Sequence, residues 1–172
     1  MWRLSLVFVA AAALAQSLKY GVGRAPTAEE IAAMDISVLH DGRGLPAGSG
    51  TAAKGKDVYF RRCSKCHGGE GQGKEEGAPL VGGKGTLASP KPLKTVGSFW
   101  PHATTLFDYV RRAMPFDRPG TLTNDQVYSA VAHVLFLNGL VGENDVIDAK
   151  TLPAVRMPNR DGFVKDPRPK VK

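Results

Sequence analysis

Apolar positions in this chain recur at helical spacing in a few short stretches separated by long irregular ones. Leu4 to Leu14 is an unbroken apolar run of eleven residues behind the positive start Met1-Trp2-Arg3. It is too short to span a bilayer and ends in Ala13-Leu14-Ala15, so it reads as an export signal cleaved after Ala15. Thr27-Ala-Glu-Glu30 is a capping box that predicts a short helix over Glu29–Met34. Residues 52–62 predict a helix with Gly55 and Tyr59 four apart on one face. Residues 104–113 predict another, with Leu106, Phe107, Tyr109 and Val110 as packing residues. The clearest stripe is Val127, Ala130, Val131 and Val134 within a helix over 124–137, capped by Thr123 and Gln126 and stopped by Asn138-Gly139.

Between these stretches Gly and Pro are too dense for long elements. Asp41 to Gly50 reads as an irregular arm, Gly68 to Gly97 as loop, and Lys165 to Lys172 as a disordered tail. The expected organisation is a signal over 1–15, an N-terminal extension over 16–50, a helical domain over 51–140 and a C-terminal arm and tail over 141–172. No segment after the signal has membrane length. The arms are expected to wrap on the domain or to lie against a partner.

The chain has 172 residues, 20 Gly, 12 Pro and a net charge of +7. Removing the signal takes away Arg3 only, leaving +6 on a domain of modest core. A nucleic-acid role is not supported, because no aromatic–basic interleaving accompanies the charge. A basic surface facing an acidic redox partner and a merely solvated one both fit.

The chemistry sits at Cys63-Ser64-Lys65-Cys66-His67, one C-x-x-C-H using the only two cysteines. Two thiols one turn apart can add to the vinyl groups of a haem, and the next histidine can bind its iron; the pattern is the attachment signature of one covalent haem c. Zinc would need further ligands at H-x₃₋₅-H spacing, which His40, His102 and His133 do not supply. A thioredoxin-like site needs a βαβ context, and a disulfide closing so short a loop constrains little. Gly82-Gly83-Lys84-Gly85-Thr86 lacks the phosphate-loop spacing and reads as loop.

From about Thr51 to Leu140 the chain resembles the class I cytochromes c, an all-α fold wrapped on one haem. The resemblance rests on C-x-x-C-H after Gly55-x-x-x-Tyr59, with the Tyr128 helix as the crossing partner. It implies that Pro79, twelve residues after His67, lends its carbonyl to the ligand's Nδ1–H. It also implies a methionine before the last helix as the second axial ligand. Met114, ahead of Pro115, stands there, with Phe116, Phe107 and Leu106 as an apolar setting. Met157 (also followed by proline), His102 and an open site remain alternatives. Trp100 is the first candidate to meet a haem propionate, with Arg61, Arg62, Lys65 and Arg111 or Arg112 behind it.

Further segments resemble the cytochrome subunits of periplasmic molybdenum sulfite dehydrogenases and of the sulfane dehydrogenase complex. They are Tyr20-Gly-Val-Gly-Arg24, Gly44-Leu-Pro-Ala-Gly-Ser-Gly50, Lys94-Thr-Val-Gly-Ser-Phe-Trp-Pro101, Ala103 to Phe116, and Val155-Arg-Met-Pro-Asn-Arg-Asp-Gly-Phe163. The resemblance implies a periplasmic one-haem electron carrier that is no enzyme by itself. Its electrons would come singly from a molybdenum-cofactor subunit and go to a downstream cytochrome or oxidase. A free carrier to a terminal oxidase and a peroxidase-like haem enzyme are the competing readings.

Overall fold

The computed structural model describes residues 22–168; residues 1–21, which include the expected signal over 1–15, and residues 169–172 lie outside them. The chain forms two compact units, Met1–Asp35 and Ile36–Lys172. In the first, helix α1 (Ala28–Met34) is held by the capping box expected: Thr27 accepts from the Glu30 amide while the Glu30 side chain accepts from the Thr27 amide. Every residue of α1 is exposed, and the helix has no inward-facing stripe.

The second unit is mostly helical and carries the class I cytochrome c fold. Its elements are β1 (Ser49–Gly50), α2 (Ala52–Arg62), α3 (Ser64–His67), α4 (Ala103–Ala113), α5 (Asn124–Leu137), β2 (Ile147–Asp148) and a 3₁₀ turn over Leu152–Ala154. Helix α5 is buried continuously from Val127 to Leu135. A helix apolar on nearly every side must be covered on every side, and α2, α4 and both arms share that task. The closest approach is at Gly55, where an added Cβ would stand 1.9 Å from the Ser129 carbonyl oxygen. Only a residue without a side chain lets α2 and α5 meet there. Phe107 of α4 stacks on Tyr128 of α5 at 4.4 Å between ring centroids.

The chain from Ile36 to Gly50 and the chain beyond Leu140 belong to this unit. The Val38 amide donates to Asp108 Oδ1 at 2.9 Å, Thr104 Oγ1 donates to the His40 carbonyl at 3.1 Å, and Tyr128 donates to the Pro46 carbonyl at 2.9 Å. β1 pairs antiparallel with β2, setting Gly50 opposite Ile147. Val38, Ile147, Leu152 and Met157 are buried in the same core cluster as α2, α4 and α5. Each lies in irregular chain or in an element of two or three residues, too short for a periodicity to betray it.

Candidate functional site

The Cys-x-x-Cys-His turn is the short helix α3, running directly on from α2. Cys63 ends α2 with its amide bonded to Tyr59 O, and its own carbonyl accepts from the amides of Cys66 at 3.2 Å and His67 at 3.0 Å. The two thiols are unpaired and half-buried. Burial, with Cys66 adding to it, pushes the Cys63 thiol up to about 11, so it is held protonated. Gly68, at φ +79°, turns the chain out of α3.

His67 is fixed from its far side. Its Nδ1 lies 2.7 Å from the Ala78 carbonyl oxygen. A carbonyl can only accept, so Nδ1 carries the proton and Nε2 is left as the lone-pair donor. The partner is thus Ala78 and not the expected Pro79 carbonyl. Proline restricts the residue before it to extended backbone, and it is this residue's carbonyl that reaches the imidazole. Two more bonds hold the turn: the Gly73 amide donates to the His67 carbonyl at 2.8 Å, and the Tyr59 hydroxyl to the Gly68 carbonyl at 2.9 Å. Burial first, then the neighbourhood of Cys63 and Glu70, pushes the Tyr59 phenol up to about 12, keeping it a donor.

The loop after α3 is pinned by polar contacts that the composition does not reveal. Asn138 Nδ2 donates to the Leu80 carbonyl at 3.1 Å, bringing the end of α5 to this loop. Thr95 Oγ1 donates to Gly82 O at 2.6 Å, and Ser98 Oγ to Leu93 O at 2.6 Å. At Gly77 a Cβ would lie 2.7 Å from the Cys66 carbonyl oxygen, so the loop lies close against the attachment turn.

Met114 caps α4, half-buried, its amide bonded to Val110 O at 3.1 Å. The next residue, Pro115, is buried, whereas Phe116 is 86% exposed and gives Met114 no apolar cover. Phe107 is buried, but against Tyr128. Met157 is 1% exposed and sits in the hydrophobic core. His102 is the N-cap of α4 and lies beside His40 at 5.3 Å between ring centroids. Burial, then Arg160 and His40, lower its pKa.

Trp100 packs against the core and meets Tyr109 edge-on at 5.8 Å. Of the basic residues near the attachment turn, Arg61 pairs with Asp57, Arg112 with Asp108, and Arg111 donates to the Ile36 carbonyl at 3.2 Å. Sequence reasoning did not single out the Ala78 carbonyl, the Tyr59 hydroxyl or the Asn138 amide. Tyr in place of a plain phenyl at position 59, and Asn at a helix end, were the available signals. The donor set fits a covalent haem: two free thiols on one turn, an imidazole whose tautomer is set by a carbonyl, and a glycine-lined loop lying against them.

Residues 50–134 match the family of the cbb3-type cytochrome c oxidase subunit III. Thiosulfate dehydrogenase of Stutzerimonas stutzeri is 27% identical over 93 residues, which is 52% of this chain and 28% of that protein. The chain therefore spans well under a third of that curated relative. The crystal structure of the sulfane dehydrogenase SoxCD from Paracoccus pantotrophus contains a chain of 43% identity. It superposes with a TM-score of 0.81 and covers 87% of this chain and 74% of its own length. No helix among the described residues is long and apolar enough to cross a membrane.

Proposed function

Because the chain belongs to the cytochrome c family, whose members bind haem c, we propose that it is the electron-accepting subunit of a periplasmic sulfur-compound dehydrogenase. Electrons come to it one at a time from a molybdenum-cofactor subunit and pass on to a downstream cytochrome or oxidase. The observation that carries this reading is the extent of the likeness to the sulfane dehydrogenase chain. It covers 87% of this chain, far more than the 85 residues of 50–134, and so includes arm residues that a minimal cytochrome does not need.

Haem c supplies a one-electron iron couple when held here. Cys63 and Cys66 are the residues that would tether it, and His67, its Nδ1 held by the Ala78 carbonyl, would offer Nε2 to the iron. That hydrogen bond sets the imidazole plane and strengthens its basicity. Met114 would offer the iron its thioether sulfur, a soft donor that favours the reduced state. One attachment turn in the given sequence supports a reading of one haem. The substrate is chosen on the other subunit, so this chain needs no acid–base pair of its own.

Met114→Ala should leave haem attached through the cysteines. Axial ligands set haem potentials over about 0.8 V, so a fall on the order of 0.1 V is expected, with loss of the low-spin ferric spectrum. An unchanged spectrum and potential would remove Met114 from the iron.

The reading itself is tested by gentle purification of tagged protein from its native periplasm, assaying molybdenum against haem iron. Sulfite, thiosulfate and a persulfide are then added separately. Co-eluting molybdenum, and haem reduced by one of the three, is the expected result. Haem alone, reduced by none of them, would make this a free electron carrier.

A further inference from the structure

Helix α2 buries Ala52, Gly55 and Tyr59, and Phe60 falls off that stripe, 70% exposed. Phe136 of α5 is 36% exposed. The two phenylalanines line one groove of about 640 Å³ between α2 and α5, with Lys56, Asp57, Glu70 and Glu143 among its walls. Asp57 is paired with Arg61, while Glu70, Glu143 and Lys56 make no ion pair among the described residues, which leaves the groove's unpaired groups one negative charge in excess. Below the groove the His133 ring lies 6.4 Å from Phe136 and 5.2 Å from Tyr59. Tyr59 in turn bonds the carbonyl of Gly68, the residue after His67.

Exposed aromatic faces beside unpaired carboxylates form a site for a cation on an apolar stem. Such a site is out of character on a chain of net charge +7, so it selects a basic projection and not an acidic one. An apolar centre with a charged rim is also the anatomy of a protein contact. We propose that the α2–α5 groove docks a lysine or arginine of a soluble redox protein that takes electrons away from this cytochrome.

The proposal rests on the reading above: a haem edge covered by a resident dehydrogenase subunit leaves electrons to exit by another face. The groove is such a face, reached from the His67 turn through Tyr59 and His133. In the exchange one electron leaves the cytochrome and reduces the acceptor's ferric iron to ferrous, with no proton or bond transferred.

The test uses the full holo-chain, reduced with dithionite and desalted. It is mixed in stopped flow with a lysine-rich ferric cytochrome c of the mitochondrial type as probe, and in parallel with ferricyanide. Glu70→Gln/Glu143→Gln and Phe60→Ser are compared with the parent. Both are expected to slow transfer to the cytochrome tenfold or more, with ferricyanide oxidation within twofold and the potential unchanged. High salt should bring the parent down to the level of the carboxylate variant. Equal rates for parent and variants overturn the proposal, as does a parent that transfers to the probe without salt dependence. A change confined to self-association in sedimentation also overturns it, assigning the groove to a second copy. If the cytochrome purifies without molybdenum and the variants still slow transfer, the complex reading fails and the docking site stands.

Discussion

Gly55→Ala is expected to be among the most damaging single substitutions in this chain. The new Cβ would stand 1.9 Å from the Ser129 oxygen, 2.6 Å from its carbonyl carbon and 2.9 Å from His133 Cβ. The first two are backbone atoms of a buried helix and cannot turn aside, so α2 and α5 must separate. Alanine gains about 1 kcal/mol over glycine in helix propensity, whereas overpacking costs about 1–3 kcal/mol or more. A clash this deep on the largest helix–helix contact belongs at the upper end, and the propensity gain leaves a net loss of roughly 2 kcal/mol. That is a large part of the roughly 5–15 kcal/mol that hold a domain together. Gly69→Ala is the control, since nothing lies within 4 Å of its Cβ position. Denaturant midpoints of the two holo-proteins should differ sharply; equal midpoints would mean the helices have slack at this crossing.

The same contact shows what the sequence makes legible. Gly55 and Tyr59 stand out because helical spacing places them on one face, and α2, α4 and α5 match their expected bounds to within a residue. Both capping boxes formed, since they depend only on residues three apart. The Cys63–His67 turn was legible for a similar reason: its residues are adjacent in the chain. What stayed hidden depends on residues far apart in the chain. The bond from Asp108 to the Val38 amide spans 70 positions, and that from Tyr128 to Pro46 spans 82. Phe116 shows the converse error. Next to a buried proline in sequence, it reads as cover for Met114, yet the backbone turns it into solvent.

Ending the chain at Gly142 should abolish stable folding of the haem-bearing unit, although all its long helices remain. The deletion removes Ile147, Leu152 and Met157, which are 3%, 0% and 1% exposed. Burying such a side chain contributes about 1.5–3 kcal/mol, so roughly 5–9 kcal/mol goes with the three. The loss also strips β1 of its partner and removes Glu143, whose carbonyl accepts from the Ala53 amide at 3.0 Å. Against a total of about 5–15 kcal/mol, little is left. Removing the chain from Val164 onward takes away no buried residue among the described ones, and its melting temperature should match the parent's. If instead the Gly142 truncation melts as the full chain does, the arm's buried residues contribute no stability and its role is confined to partners. Where the truncation fails to fold, trimming cannot report on assembly, because it destroys the cytochrome before it weakens any complex. The informative variants are then at exposed arm positions such as Val164 and Lys165, which leave the core untouched. Loss of molybdenum from the purified complex at those positions, with an unchanged melt, would separate the arm's contact with a partner from its part in the fold.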